Sequence, residues 1–161
     1  MEAIILAGGF GTRLRPLTYT RAKSLLPILN KPMIMHLIET LPKEVEKIIL
    51  AVNYRKDQIE KYFKENDCGK KIIVNDEPKP LGTGGATKFA QEHITDKFFV
   101  LNADVIASIN LADMIKFHEK NDAKATISLW PVKNVSEFGV VDITEDGKIL
   151  DFVEKPKPED A

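Results

Sequence analysis

Cysteine is nearly absent. Cys68 is the single one in 161 residues, so no internal disulfide can form, and a reducing compartment, the cytoplasm, is the expectation. No sign of charge predominates: 23 Lys and Arg stand against 24 Asp and Glu, a formal net charge of -1. That even mixture excludes the broad basic face that a nucleic-acid backbone demands. Long apolar runs are missing as well, none approaching the ~20 residues of a membrane span. The start, Met1-Glu2-Ala3-Ile4-Ile5-Leu6, lacks the basic n-region of a signal peptide. Neither nucleic acid nor membrane is therefore expected as a partner. There is no internal repeat, low-complexity tract or linker, which favours one domain over residues 1–161. With 43% hydrophobic residues, a soluble globular domain burying roughly 68–70% of its unfolded surface is within reach.

What is present is alternation. Short β-type runs, Ala3 to Leu6, Lys47 to Val52, Lys71 to Asn75 and Phe98 to Leu101, are interleaved with helix-period stretches. A helix opens at Asn30-Lys31-Pro32, with Met33, Ile34, Leu37, Ile38 and Leu41 as its apolar stripe and Pro42 as its stop. Further helices are expected over Arg55 to Glu65, Thr87 to His93 and Leu111 to Asn121, the last capped by Asn110. Phe98 to Leu101 is wholly apolar, as a buried parallel strand should be. Thr126 to Val132 resumes β structure, and Gly139 to Ile143 with Ile149 to Val153 alternates as a hairpin across Asp146-Gly147. The fold class is thus α/β: a Rossmann-like, mostly parallel sheet with helices on both faces and a β-hairpin near the C-terminus. Such sheets bind ligands at the carboxyl ends of their strands.

The first such end is Leu6-Ala7-Gly8-Gly9-Phe10-Gly11-Thr12-Arg13-Leu14. Three glycines let main-chain N–H groups approach an anion closely. The segment is no dinucleotide fingerprint, because Leu14 stands where the third glycine belongs, and no Gly-Lys-Ser/Thr follows to make a Walker loop. Thr12, Arg13, Arg15 and Lys23 add donors and positive charge suited to phosphate. A tight turn with solvated basic residues is the plain alternative. The run Gly8-Gly9-Phe10-Gly11-Thr12-Arg13-Leu14-Arg15-Pro16-Leu17-Thr18, followed by Lys23, Leu25-Leu26-Pro27 and Lys31-Pro32, resembles the sugar-1-phosphate nucleotidylyltransferases, also called NDP-sugar pyrophosphorylases. Two positions depart from that family's pattern: Ala22 stands where a proline usually precedes the lysine, and Ala103 replaces the commoner glycine before Asp104.

The resemblance extends along the whole chain. Glu77-Pro78-Lys79-Pro80-Leu81-Gly82-Thr83-Gly84-Gly85 looks like the family's base-recognition loop, where an isolated glycine cluster would mean only a flexible turn. Leu101-Asn102-Ala103-Asp104 is similar to the segment whose aspartate binds the catalytic Mg²⁺, although an Asp at a strand end also commonly caps a turn. Gly139, Glu154 and Lys155 resemble the sugar side of the site, the first two meeting hydroxyls and Lys155 the sugar phosphate; charge alone would make Glu154-Lys155 an exposed ion pair. By the same resemblance Leu6, Ala7, Gly8, Gly9, Gly11, Thr12, Arg13, Glu77, Gly82 and Thr83 hold the nucleotide, and Arg13, Lys23 and Asp104 are catalytic. His36, His93 and His118 show no metal or triad spacing and read as structural or surface residues; Trp130 and Phe98-Phe99 read as core aromatics.

The implied reaction joins an NTP and a sugar 1-phosphate into an NDP-sugar and pyrophosphate. Its nucleophile is already an anion, so no strong base is needed, and catalysis rests on position and charge. Glu77 leans the base toward guanine: an ionised carboxylate only accepts, and guanine offers paired N1–H and N2–H donors where uracil and thymine offer one N–H between carbonyls. Phe99-Val100-Leu101-Asn102, with Asp104-Val105-Ile106 one residue on, likewise looks more like the mannose-1-phosphate guanylyltransferases, so GTP and mannose 1-phosphate are the favoured pair. A uridylyl- or thymidylyltransferase, a non-catalytic sugar-nucleotide-binding relative and an inactive shortened chain are the alternatives. The four residues Arg13, Lys23, Asp104 and Lys155 together argue for catalysis. The match reaches roughly the first two-thirds of the family's catalytic domain, so the domain reads as C-terminally incomplete; a homo-oligomer, with another chain supplying a second metal-binding aspartate, is left open.

Overall fold

The computed structural model describes residues 1–157. By Cα packing the chain divides into two compact units, Met1–Asp122 and Ala123–Ala161, although the sequence shows no linker between them.

In the first unit, β1 (Glu2–Leu6) is followed by a loop with three short 3-10 turns, then by the two-residue strands β2 (Pro27–Ile28) and β3 (Lys31–Pro32). These pair antiparallel across Leu29 and Asn30, both at positive φ. The sequence expectation of a helix starting at Asn30-Lys31-Pro32 is thus corrected: Lys31 and Pro32 are strand, and α1 runs Met33–Thr40. It ends because Leu41, lying before Pro42, is pushed to extended backbone. Then come β4 (Lys47–Val52), α2 (Lys56–Glu65), β5 (Lys71–Asp76), α3 (Gly82–Phe89), β6 (Phe98–Asn102) and α4 (Leu111–Lys120). Asn110 Oδ1 accepts from the N–H groups of Ala112 and Asp113, the expected cap.

The four longer strands form one all-parallel sheet in the order β5-β4-β1-β6. Their period of two sorts side chains onto two faces. Ala3, Ile5, Ile48, Leu50, Val52 and Phe99 pack with Ile34, Leu37 and Ile38 of α1, Ile59 of α2 and Leu111 of α4. Ile4, Ile49 and Ala51 pack with Ala86 of α3 and Ala90. Each wholly buried Ile or Leu contributes about 1.5–3 kcal/mol, so this double-sided core fixes the sheet. The chain runs from β1 to β4 and β5 on one side and returns to β6 on the other. The order reverses between β1 and β6, the place where open α/β sheets bind ligands.

Three further expectations change. The helix expected at Thr87 to His93 begins at Gly82 and ends at Phe89, followed by a 3-10 turn, Gln91–His93. Low glycine propensity is overridden because Ala86, with Ala90 just beyond the helix, packs against Ile4, Ile49 and Ala51 of the sheet; Gly85 leaves room for the helix's own N-cap residue, since a Cβ there would stand 2.9 Å from Leu81 Cβ. The strand at Phe98 is an edge of the described sheet rather than a buried interior strand. Phe99 is buried, whereas Phe98 and Val100, on the α3 face, are exposed. Thr126 to Val132 adopts no regular structure, and Trp130 is 80% exposed rather than in the core. Alternation yields a strand only where a neighbouring edge completes the ladder.

In the second unit, a 3-10 turn, Val135–Glu137, precedes the antiparallel pair β7 (Gly139–Ile143) and β8 (Ile149–Glu154). The hairpin closes as expected, with Gly147 at φ 84 and its N–H donating to Thr144 O at 2.9 Å. No helix among the described residues is long and apolar enough to cross a membrane.

Candidate active site

The carboxyl ends of the strands are laced to one another. Ala7 N–H donates to Ala51 O at 2.8 Å, Ala103 N–H to Leu6 O at 3.1 Å, and Glu77 N–H to Val52 O at 2.8 Å. Asn53 Nδ2 donates to Glu77 O at 2.9 Å. A Cβ on Gly8 would lie 3.2 Å from Asn53 N, so the loop leaving β1 passes close over the end of β4. Within this frame lies a cavity of about 290 Å³, lined by Leu6 to Phe10, Lys23, Ser24, Glu77, Pro80 to Thr83, Ala86 and Asn102 to Asp104.

The glycine-rich loop is shaped by one left-handed residue. Gly11 sits at φ 63, and a Cβ there would come 2.7 Å from Thr18 Cγ2. Thr18, 2% exposed, donates its hydroxyl to Gly11 O at 2.8 Å and closes the loop on itself. Gly11→Ala is expected to cost about 1–3 kcal/mol, the usual strain of a non-glycine residue in such a conformation; thermal unfolding checks it, and an unchanged melting temperature would contradict it.

Lys23, at the start of a 3-10 turn, forms an ion pair with Asp104 just beyond the end of β6. A cationic and an anionic group from positions 81 residues apart thus meet on one wall. Across the cavity, Glu77 is 6% exposed and accepts the Leu81 N–H at 3.2 Å. Burial raises its pKa above the usual carboxylate value, with the Leu81 hydrogen bond acting against the shift. Glu77 also joins the end of β5 to Leu81 at the mouth of α3, which gives the glycine cluster a fixed place.

Of the residues singled out in the sequence, Leu6, Ala7, Gly8, Gly9, Lys23, Glu77, Gly82, Thr83 and Asp104 line the cavity. Gly11, Thr12 and Arg13 do not: Thr12 and Arg13 are exposed on the first 3-10 turn, Thr12–Leu14. Gly139, Glu154 and Lys155 belong to the second unit. There Gly139 and Glu154 are partners across the β7–β8 ladder, and a Cβ on Gly139 would meet Phe152 Cζ at 2.5 Å. Lys155 Nζ lies 3.8 Å from Glu154 Oε1, with both side chains exposed. Leu81, in the loop read as base-recognising, also lines the cavity, whereas sequence reasoning gave no role to the lining residues Phe10, Ser24, Pro80, Ala86, Asn102 and Ala103 or to Thr18 as the brace. Pro80, Asn102, Ala103 and Thr18 lie within the motif segments, which is the signal that could have found them. His36 is structural as read: its Nε2 lies 2.8 Å from Ile28 O.

Residues 2–161 match the family described as nucleotidyl transferase. The chain is 44% identical to the mannose-1-phosphate guanyltransferase beta-A of Xenopus laevis, covering 98% of this chain and 46% of that protein. It is also 44% identical to the catalytic subunit beta of the mannose-1-phosphate guanylyltransferase of Dictyostelium discoideum, covering 98% and 45%. The chain therefore spans about half the length of the curated relatives it matches. Among solved structures, HddC from Yersinia pseudotuberculosis complexed with GMP-PN superposes with a TM-score of 0.79 at 33% identity, over 97% of this chain and 70% of that one. A putative glucose-1-phosphate thymidylyltransferase from Bacillus anthracis gives a TM-score of 0.82 at 28% identity, over 97% and 65%. A glycine-rich loop and a charged strand end meeting where the strand order reverses, together with these matches, place the chain in the nucleotidyl transferase family, among the sugar-1-phosphate nucleotidylyltransferases.

Proposed function

We propose that this chain carries the nucleotide-binding part of an enzyme that converts GTP and mannose 1-phosphate into GDP-mannose and pyrophosphate. The observation that carries the reading is a cavity walled by the glycine-rich loop, the Glu77–Thr83 loop, Lys23 and Asp104 together. The relatives named mannose-1-phosphate guanylyltransferases support the choice of base and sugar.

In this reaction an oxygen of the sugar phosphate forms a bond to the α-phosphorus, and the bond from that phosphorus to the β-phosphate oxygen breaks. The electron pair leaves with pyrophosphate, and no proton need move. The obstacle is repulsion between anions, which cations and oriented N–H groups offset. The N–H groups of Gly8, Gly9 and Gly11 suit the triphosphate, with Leu6, Ala7 and Thr12 completing that loop. Lys23 holds the attacking and α-phosphates together, and Arg13 stabilises the departing pyrophosphate. Glu77, Gly82 and Thr83 face the base. Gly139 and Glu154 are assigned to the sugar hydroxyls and Lys155 to the sugar phosphate.

Asp104 fits a divalent cation. It is a hard oxygen donor, its side chain is 38% exposed, and it already pairs with the cation Lys23. Among the described residues no group of three or more His, Cys, Asp or Glu is placed to hold a metal ion. Asp104 would therefore hold Mg²⁺ together with phosphate oxygens of the substrates. When bound, that ion supplies Lewis-acid polarisation of the reacting phosphate.

A pyrophosphate-release assay tests the proposal, with mannose 1-phosphate and GTP, UTP or dTTP in turn. GTP is expected to turn over fastest. A preference for UTP or dTTP would overturn the base assignment. Thermal protection by an NDP-sugar with no pyrophosphate release would support a non-catalytic relative instead.

A further inference from the structure

The segment leading into Lys23 has one 3-10 turn, Leu17–Tyr19, and no strand or α-helix to hold it in place. Its backbone is held by side chains at the start of α2. Tyr54 Oη donates to Thr18 O at 3.3 Å, and the Arg55 guanidinium donates to Tyr19 O. Gln58 Nε2 donates to Thr20 O at 2.8 Å, while Gln58 Oε1 accepts the Ala22 N–H at 2.8 Å. Three consecutive carbonyls and the N–H immediately before Lys23 are thus engaged by residues distant in sequence. The Tyr54 ring also packs on Phe10, centroids 5.2 Å apart, which ties the glycine-rich loop to the same support.

Gln58 is the centre of this arrangement, because an amide side chain both donates and accepts. Its partner Ala22 is 2% exposed and sits at φ -58, ψ 136, backbone angles that proline adopts. The one feature of Ala22 that proline would remove is the N–H held by Gln58.

We infer that Tyr54, Arg55 and Gln58 form a clasp that sets the backbone before Lys23 so that its amine meets Asp104, with Gln58 as a positioning residue acting through the Ala22 N–H. The inference rests on the proposed transfer only for its kinetic consequence.

Two measurements test it, one of them independent of turnover. Competitive acylation of lysine amines, read by peptide mass spectrometry, reports how firmly Lys23 is held. Gln58→Ala is expected to raise Lys23 labelling relative to the other lysines by about tenfold, the order set by two lost hydrogen bonds. It should also lower kcat by a similar factor with KM for GTP nearly unchanged, because misplacing a group that aligns reacting phosphates acts on the chemical step. Ala22→Pro alone is expected to do the same, since the ring removes the N–H and meets Gln58 Oε1. The double variant Gln58→Ala/Ala22→Pro should return both readouts toward wild type, because the ring then restrains the backbone that the hydrogen bond held. General loss of fold would raise labelling at all lysines, and a second substitution would not cure it. Unchanged Lys23 labelling in Gln58→Ala, or a double variant worse than either single one, would overturn the clasp. Absence of pyrophosphate release by the unmodified chain counts against the proposed transfer, and the labelling result then decides the clasp alone.

Discussion

Replacing Asp104 by Asn is expected to lower pyrophosphate release at least ~10²-fold, the scale seen on removing one group that stabilises charge in a transition state, with little change in melting temperature. The substitution keeps shape and removes charge. Asp104 makes its ion pair with Lys23 on a partly exposed wall, and exposed pairs contribute only about 0–1 kcal/mol to stability. The fold therefore has little reason to respond, whereas the reaction loses its carboxylate and leaves the Lys23 amine uncompensated. Arg13→Ala should cause a loss of the same order, yet for a different reason: Arg13 is exposed on the first 3-10 turn, outside the cavity lining, and the proposed transfer requires it to approach the phosphates. Comparing the two variants by pyrophosphate release and thermal melt separates the roles. Near-normal turnover of Asp104→Asn would remove the reaction from this cavity, and near-normal turnover of Arg13→Ala would remove that side chain alone from the chemistry.

Glu77→Gln is expected to reduce the preference for GTP over UTP by about 10- to 100-fold, the value of a bidentate pairing of one side chain with a base edge. A carboxylate accepts from two donors at once, whereas an amide offers one acceptor and one donor and so suits a uracil edge better than the guanine N1–H and N2–H pair. The same residue sets a pH dependence. Burial raises the Glu77 pKa, so the carboxyl takes up a proton at a pH above that of an ordinary glutamate. Protonation turns an acceptor into a donor facing donors, and GTP affinity should fall with decreasing pH by up to about tenfold per unit below that raised pKa. Above it, affinity should be flat. Equilibrium binding of GTP across the acid range checks this in wild type and Glu77→Gln, where the slope attributable to residue 77 should vanish. A variant that keeps both the slope and the GTP preference would show that Glu77 does not read the base.

Local chemistry made much of this legible in the sequence. β4 falls where the apolar run lies, because Ile48 to Val52 are buried on both faces and no polar residue interrupts them. Asn110 marked the start of α4 because a capping side chain needs only its own backbone two and three residues on. The glycine-rich and charged loops stood out for the same reason: glycines and charges in short stretches at the carboxyl ends of parallel strands are read from local sequence, at the place where such sheets bind ligands. Where neighbours distant in sequence decide, the reading failed. Low glycine propensity delayed α3, which the packing of Ala86 against Ile4, Ile49 and Ala51 stabilises. Thr126 to Val132 was expected to resume β structure, but no ladder there draws it into a sheet.

The sequence by itself determined the α/β class, the family and the residue types gathered for phosphate chemistry, since these depend on period, glycine placement and charge within short stretches. Only the tertiary structure decided that Lys23 pairs with Asp104, that Glu77 is buried enough for its pKa to rise, and that Gln58 holds Ala22. Each of these needs groups brought together across the sheet edge, and hydrogen bonds, ion pairs and desolvation act over a few ångströms that spacing along the chain cannot specify.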